Sequence, residues 1–281
     1  MSRLLIVAGL TALIHAVNTL IYGVRLSGVR TERLATAISL FNVVFLVAST
    51  ANMVQAPLLA SIVDRAINAG LSAGGVGSPV YQQHLAVLEE DMRVVILAAT
   101  AGTLLGALAI PPFVQLFSRI ILLFDEVGSV PRLAGMVLFS PRRVYRFFAQ
   151  ARIPRATALR AAVQTRGLPK TFLIMNVLVI GIYTIGVLSA LYAGALFPEF
   201  RSTATLLSGI VNGIATVLVA TIVDPTAARI TDQALRGVRP ESDVKSMVAC
   251  LAGTRLLGTL LAQILLLPAA EWIRFVAQLI A

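Results

Sequence analysis

The chain has 281 residues, of which 58% are hydrophobic and only 13% charged, against roughly 45–50% and about 25% in an ordinary soluble domain. Each crossing of a hydrocarbon layer takes roughly 20 apolar residues, so six crossings would use about half of the chain and exclude a large soluble domain. The net charge is +10, and Lys170 and Lys245 are the only Lys among 23 basic residues, which leaves Arg, a residue that grips phosphate with a fork of donors.

The first apolar run, Leu4–Val24, follows Arg3 as a signal peptide would. It is too long for one, carries His15 and Asn18 midway, and is followed by Arg25 rather than a small-residue cleavage site. It reads as a membrane span. Five further apolar segments follow at Leu34–Val63, Val94–Phe117, Thr171–Phe197, Thr203–Val223 and Met247–Ile273. Prolines punctuate them at Pro57, Pro111, Pro112, Pro198, Pro225 and Pro268, so broken helices are expected where a freed carbonyl can find another partner. The fold class is therefore all-α, a polytopic membrane protein with six transmembrane helices.

Basic residues set the orientation. One side collects Arg25, Arg30 and Arg33, the Arg119–Lys170 stretch, and Arg229, Arg236, Arg239 and Lys245, 17 in all. The other side holds five: Arg3, Arg65, Arg93, Arg201 and Arg274. The richer side is expected to be cytoplasmic, with both termini outside.

Short strings recur in order. Ala60-Ser61-Ile62-Val63-Asp64 closes the second span and Ala220-Thr221-Ile222-Val223-Asp224 the fifth. Glu89-Glu90-Asp91-Met92-Arg93 precedes Ala101-Gly102-Thr103-Leu104-Leu105-Gly106, as Glu241-Ser242-Asp243-Val244-Lys245 precedes Ala252-Gly253-Thr254-Arg255-Leu256-Leu257-Gly258. Units of three crossings must enter the membrane from opposite sides, so the expectation is two inverted three-helix repeats, residues 1–117 and 171–281, a plan used by transporters. Residues 118–170 form a basic cytoplasmic loop. Ser140-Pro141 and Pro154 there read as starts of interfacial helices carrying Arg142, Arg143, Arg146, Arg155, Arg160 and Arg166.

No hydrolytic or nucleotide motif is present. Gly74-Gly75-Val76-Gly77-Ser78 is rich in glycine but lacks the Lys and strand-to-helix context of a phosphate loop. One cysteine, Cys250, and two histidines, His15 and His84, exclude a disulfide framework or a Cys/His metal cluster, and His84 beside Glu89, Glu90 and Asp91 reads as a solvated loop face. Within the spans, Arg255 lies near mid-depth, where an unpaired guanidinium costs several kcal/mol, about 3 on insertion scales. It should face a polar cavity, a bound anion or a carboxylate such as Asp64 or Asp224. His15, Asn18, Tyr22 and Arg25 form a polar stripe on the first span, which suits either a wetted groove or helix–helix hydrogen bonding. Asn42, Asn52, Gln55, Asn176, Asn212 and Gln263 read as bonds between helices.

The stretch His15-Ala16-Val17-Asn18-Thr19-Leu20, with Arg25-Leu26-Ser27-Gly28-Val29-Arg30-Thr31, Ala37-Ile38-Ser39-Leu40-Phe41-Asn42 and Gln55-Ala56-Pro57-Leu58, resembles the Amj family. The resemblance is clearest over the first 65 residues. It implies a bacterial inner-membrane lipid II flippase, functionally interchangeable with MurJ but unrelated to it in sequence. The implied partners are lipid II and membrane lipids, with no cofactor, metal, catalytic residue or nucleic acid. The family brings no binding residues, so the candidate substrate-binding set, Arg25, Arg30, Arg255, His15, Asn18 and Tyr22, rests on depth, side and charge: the pyrophosphate of lipid II needs a cationic route. Two rival readings are a membrane enzyme acting on a polyprenyl phosphate, with Asp64, Glu89, Asp91 or Asp224 binding a divalent ion, and a scaffold subunit docking a partner through the basic loop.

Overall fold

The computed structural model describes residues 2–132 and 167–280. The expected interfacial helices at Ser140 and Pro154 lie outside the described residues. Three long helices come first, α1 (Ser2–Thr31), α2 (Leu34–Gly74) and α3 (Pro79–Val127), and α4 (Lys170–Leu196) opens the second part. The fifth span is assembled from a 3₁₀ turn (Pro198–Phe200), α5 (Arg201–Leu206), α6 (Ser208–Leu218), a π turn (Val219–Val223) and α7 (Asp224–Leu235), and α8 (Glu241–Ile280) completes the chain. Six helical stretches are long and apolar enough to cross a membrane. The protein is an all-α polytopic membrane protein, with no strand among the described residues.

Several helices outrun their apolar cores. At 1.5 Å per residue the 49 residues of α3 reach about 70 Å, so its ends stand clear of the membrane. Local chemistry sets those ends. The Ser78 hydroxyl accepts the Tyr81 N–H at 3.1 Å and Pro79 occupies the first turn, where its missing N–H costs nothing. Gly128, at φ +64, ends the helix by donating its N–H to the Phe124 carbonyl at 2.7 Å.

Proline does not break every span that contains it. Pro57, Pro111, Pro112 and Pro268 sit inside continuous helices. Only the fifth span is interrupted, at Leu207 and at the π turn immediately before Pro225. Proline cannot donate to the carbonyl four residues back and its ring crowds that carbonyl; the wider π turn makes room for it.

Close packing rests on glycine. A methyl group added at Gly106 on α3 would lie 2.6 Å from the Ala16 carbonyl oxygen and 2.8 Å from the Thr19 Cβ of α1. One added at Gly258 on α8 would lie 2.7 Å from both the Val177 carbonyl oxygen and the Ile180 Cβ of α4. Val177 and Ile180 stand 161 positions after Ala16 and Thr19. Such small-residue contacts let membrane helices approach closely where the hydrophobic effect between them is absent. The two helix pairs α1–α3 and α4–α8 are the most extensive among the described residues, and they meet where α8 packs against α3 and α1. Outward faces carry exposed Leu46, Met53, Leu206 and Ile264, as a bundle surrounded by lipid does.

Two apolar clusters join the first three helices to the rest. One lies toward the end bearing Arg25, Arg30 and Glu241, here called the basic end, and includes Tyr22, Leu26, Val114, Val248 and Leu251. The other lies toward the opposite end and includes Tyr81, Leu88, Leu191 and Ile273. There the Tyr81 hydroxyl donates to the Ala195 carbonyl at 2.7 Å, and Arg93 donates to the Gln263 carbonyl at 2.9 Å.

Candidate functional site

Polar side chains from four helices gather within and beside the basic-end cluster, which already holds Tyr22. From α1 come His15, Asn18 and Tyr22, spaced three and four residues apart and so aligned on one face. Thr103 comes from α3, Asn176 from α4, and Thr254 and Arg255 from α8. His15 Nδ1 stands 3.4 Å from the Thr103 hydroxyl. The Tyr22 hydroxyl donates to Asn176 Oδ1 at 3.5 Å, while Asn176 Nδ2 donates to Thr254 Oγ1 at 2.8 Å and to the Leu251 carbonyl at 3.3 Å. Asn176 thus ties α1 to α8 through α4. It belongs to the helix-bonding class assigned to it from sequence, as does Gln55, which donates to Thr11 of α1.

Arg255 is 8% exposed, yet it forms no ion pair or hydrogen bond with any described residue, and its Nε is buried with no partner. All 13 Asp and Glu of the chain fall in the described segments. None pairs with Arg255: Asp64 holds Arg201 at 3.5 Å and Asp224 holds Arg25 at 3.1 Å. Of the alternatives for Arg255, pairing with Asp64 or Asp224 is therefore set aside, and a polar cavity or a bound anion remain. The Arg255 side chain lies within electrostatic reach of His15 on α1. Asn18 repeats the pattern, with Oδ1 buried and unpartnered. A buried cation without an anion is expensive, and a bidentate oxyanion is the group that would best satisfy it.

Arg25 and Arg30 sit about 15–22 Å from His15 along α1, toward the basic end, and both are paired. Arg25 meets Asp224 at the start of α7; Arg30 Nε meets Glu241 at 2.9 Å at the start of α8. The second carboxylate also takes Lys245 at 2.9 Å. Burial opposes the charge of Glu241, but hydrogen bonds from Lys245 and Arg30 outweigh it and hold the carboxyl below its ordinary range. With Asp224 59% and Glu241 39% exposed at the side chain, each bridge is worth about 0–1 kcal/mol. The structure puts Arg255 within electrostatic reach of His15 and ties Tyr22 to Asn176 of α4, with Asn18 on the same face of α1 between them, and leaves Arg25 and Arg30 nearer the basic end.

The carboxylates of the enzyme reading do not converge. Asp64 and Asp224 lie at opposite ends of the bundle, engaged with Arg201 and Arg25, and Glu89 holds Arg93 of its own helix at 2.7 Å. No group of three or more His, Cys, Asp or Glu is placed to hold a metal ion among the described residues.

Sequence reasoning missed Thr103 and Thr254 as members of the site. A signal was present: each closes the recurring Ala-Gly-Thr string, and each reaches a polar residue on the first helix of its own part, His15 or Asn176, which are 161 positions apart. Asp224 and Glu241 were missed as partners of Arg25 and Arg30 because contacts about 200 residues apart leave no trace in local spacing.

No solved structure matches the chain. A relative named Lipid II flippase Amj, from Bacillus subtilis (strain 168), is 38% identical over 266 residues, which cover 95% of this chain and 93% of the relative. The family model described as Alternate to MurJ, the Amj family, matches residues 10–277. With a family model matched over nearly its whole length and a relative 38% identical over 95% of it, the chain belongs to the Amj family.

Proposed function

We propose that this protein is a lipid II flippase of the bacterial inner membrane, carrying the undecaprenyl-pyrophosphate-linked peptidoglycan precursor between leaflets without changing it chemically. The observation that carries the reading is Arg255: a buried guanidinium with no carboxylate, in a polar centre near mid-depth between the two parts of the bundle. A pyrophosphate supplies the paired oxyanions that a guanidinium binds best, while the polyprenyl tail stays in lipid. His15, Asn18 and Tyr22 line the passage beside Arg255, and Arg25 and Arg30 gather the headgroup at the cytoplasmic, basic end. The name of the Bacillus subtilis relative supports the same substrate.

The passage lies between two inverted three-helix units, 1–117 and 171–281, with 118–170 as a basic cytoplasmic loop. The matching contacts of Gly106 and Gly258 support this duplication, since the contact positions on α1 recur 161 positions later in α4 and the glycine of α3 recurs 152 positions later in α8. Random apolar helices would share short strings but not the backbone atoms each glycine meets. Inverted units around a central site are a recurrent transporter plan.

The test is rescue of a cell depleted of its resident lipid II flippase. Expression of this chain should restore growth and outer-leaflet lipid II, and a well-expressed chain that restores neither would send the reading to the polyprenyl-phosphate enzyme.

A further inference from the structure

The duplicated scaffold carries an unduplicated lock. Asp224 and Glu241 at the basic end correspond, at offsets of 160 and 152, to Asp64 and Glu89 at the opposite end. Their arginine partners have no counterpart: 161 positions after Arg25 and Arg30 stand Gly186 and Leu191. Accordingly Arg25–Asp224 and Arg30–Glu241 both run from α1 of the first unit to the second unit, whereas Glu89 pairs within its own helix with Arg93. Among the described residues the opposite end has one charge pair between units, Arg201–Asp64 at 3.5 Å, with both side chains about half exposed.

We infer that Asp224 and Glu241 are placeholders for substrate, occupying Arg25 and Arg30 and so closing the basic end until a pyrophosphate group displaces them. The inference rests on the flippase reading for the identity of that group. Three observations carry it. The two bridges are the charge pairs that join the units at this end among the described residues. Each is exposed enough to exchange readily with a competing oxyanion, and a diphosphate brings more negative charge and more acceptor oxygens to a guanidinium than a single carboxylate does. Beyond the lock, the next arginine inward on the route, Arg255, has no carboxylate of its own. An anion that enters by exchange at Arg25 and Arg30 thus meets no protein competitor at the centre, while the two freed carboxylates separate the units by losing the contacts that held them. The lock also gives the symmetric bundle a direction, because only one end needs a diphosphate to open it.

The native chain contains its own probe. Cys250 is the single cysteine, 5% exposed, in the apolar cluster that joins Tyr22 and Leu26 of α1 to Val248 and Leu251 of α8, about 14 Å along α8 from Glu241. The experiment measures its modification by a membrane-impermeant maleimide applied from the cytoplasmic side, using the full chain in sealed inside-out vesicles, with Cys250→Ala as the background control. Inorganic pyrophosphate should raise the rate about fivefold or more over sodium chloride at matched ionic strength. Asp224→Asn with Glu241→Gln should label at the raised rate without pyrophosphate and respond to it no further. Equal acceleration by pyrophosphate and by salt would reduce the pairs to screened surface bridges and overturn the lock, as would a native rate that neither changes. Should the double variant fail to fold, the native-chain comparison decides alone. A chain that answers pyrophosphate but fails the rescue assay keeps the lock and loses the lipid II reading; one that rescues growth with no pyrophosphate effect does the reverse.

Discussion

The two three-helix parts of this bundle pack alike and are charged differently. Gly106 and Gly258 press on the same carbonyl and Cβ positions of α1 and α4, and His15 and Asn176 meet a threonine from the partner helix in each case. Tyr22 and Tyr183 also correspond at the offset of 161. Yet the second part carries Arg255 directly after Thr254, where the first part runs from Thr103 straight to Leu104, and the Arg25 and Arg30 of the first part have no cationic equivalent in the second. On the proposed duplication, close helix packing is kept in both units, and the charge proposed to attract the anion is placed once. Packing and electrostatics are therefore separable, and substitutions can attack either.

The largest effects should come from the shared packing. Gly106→Val and Gly258→Val each force a side chain into backbone and should destabilise the bundle by about 2–3 kcal/mol, in similar measure, read as unfolding in a denaturing-detergent titration. Tolerance at one glycine with collapse at the other would break the correspondence of the two parts. The next contrast is between their polar residues. Asn176→Ala leaves the Tyr22 hydroxyl without its partner in the interior, while Thr254 keeps its bond to the Cys250 carbonyl, and should cost about 1–3 kcal/mol. His15→Ala removes one long contact and should cost less than about 1 kcal/mol, while lowering transport more than Asn176→Ala of equal expression. A larger stability loss at His15 would remove it from the passage and make it a structural residue.

Charge contrasts should be nearly silent in stability. Asp64→Asn and Asp224→Asn each lose an exposed pair and should change stability by about 0.5 kcal/mol or less, but only Asp224→Asn should alter transport. Smallest of all are cysteines at exposed loop sites, Val76→Cys and Val238→Cys, made in a Cys250→Ala background. Both should fold as the parent does, with Val76→Cys labelled only from outside and Val238→Cys only from inside. Reversed labelling would invert the orientation and with it the direction of the lock.

Much of this was legible in the amino-acid order. Six apolar runs gave six spans because a membrane-crossing helix must satisfy its own backbone, and the polar stripe of α1 followed from helical spacing alone. Proline was a poorer guide: Pro57, Pro111, Pro112 and Pro268 are absorbed by long helices, and only the neighbourhood of Pro225 yields, because what decides is whether surrounding packing lets the helix widen. Arg255 was recognisable from depth, but its lack of a carboxylate was not. That depended on Asp64 and Asp224 being claimed at opposite ends by Arg201 and Arg25, a matter of tertiary pairing that no local pattern encodes.

The most direct test of the central claim, that Arg255 binds the diphosphate of the passing lipid, is the rate of lipid II translocation by purified Arg255→Lys in proteoliposomes, beside the parent and Arg255→Ala. Lysine keeps the charge and loses the planar fork. The account predicts that Arg255→Lys folds with parental stability and moves lipid II at least about tenfold more slowly, a loss of about 1.4 kcal/mol in transition-state stabilisation. A well-folded Arg255→Ala protein that moves lipid II at the parental rate would contradict it.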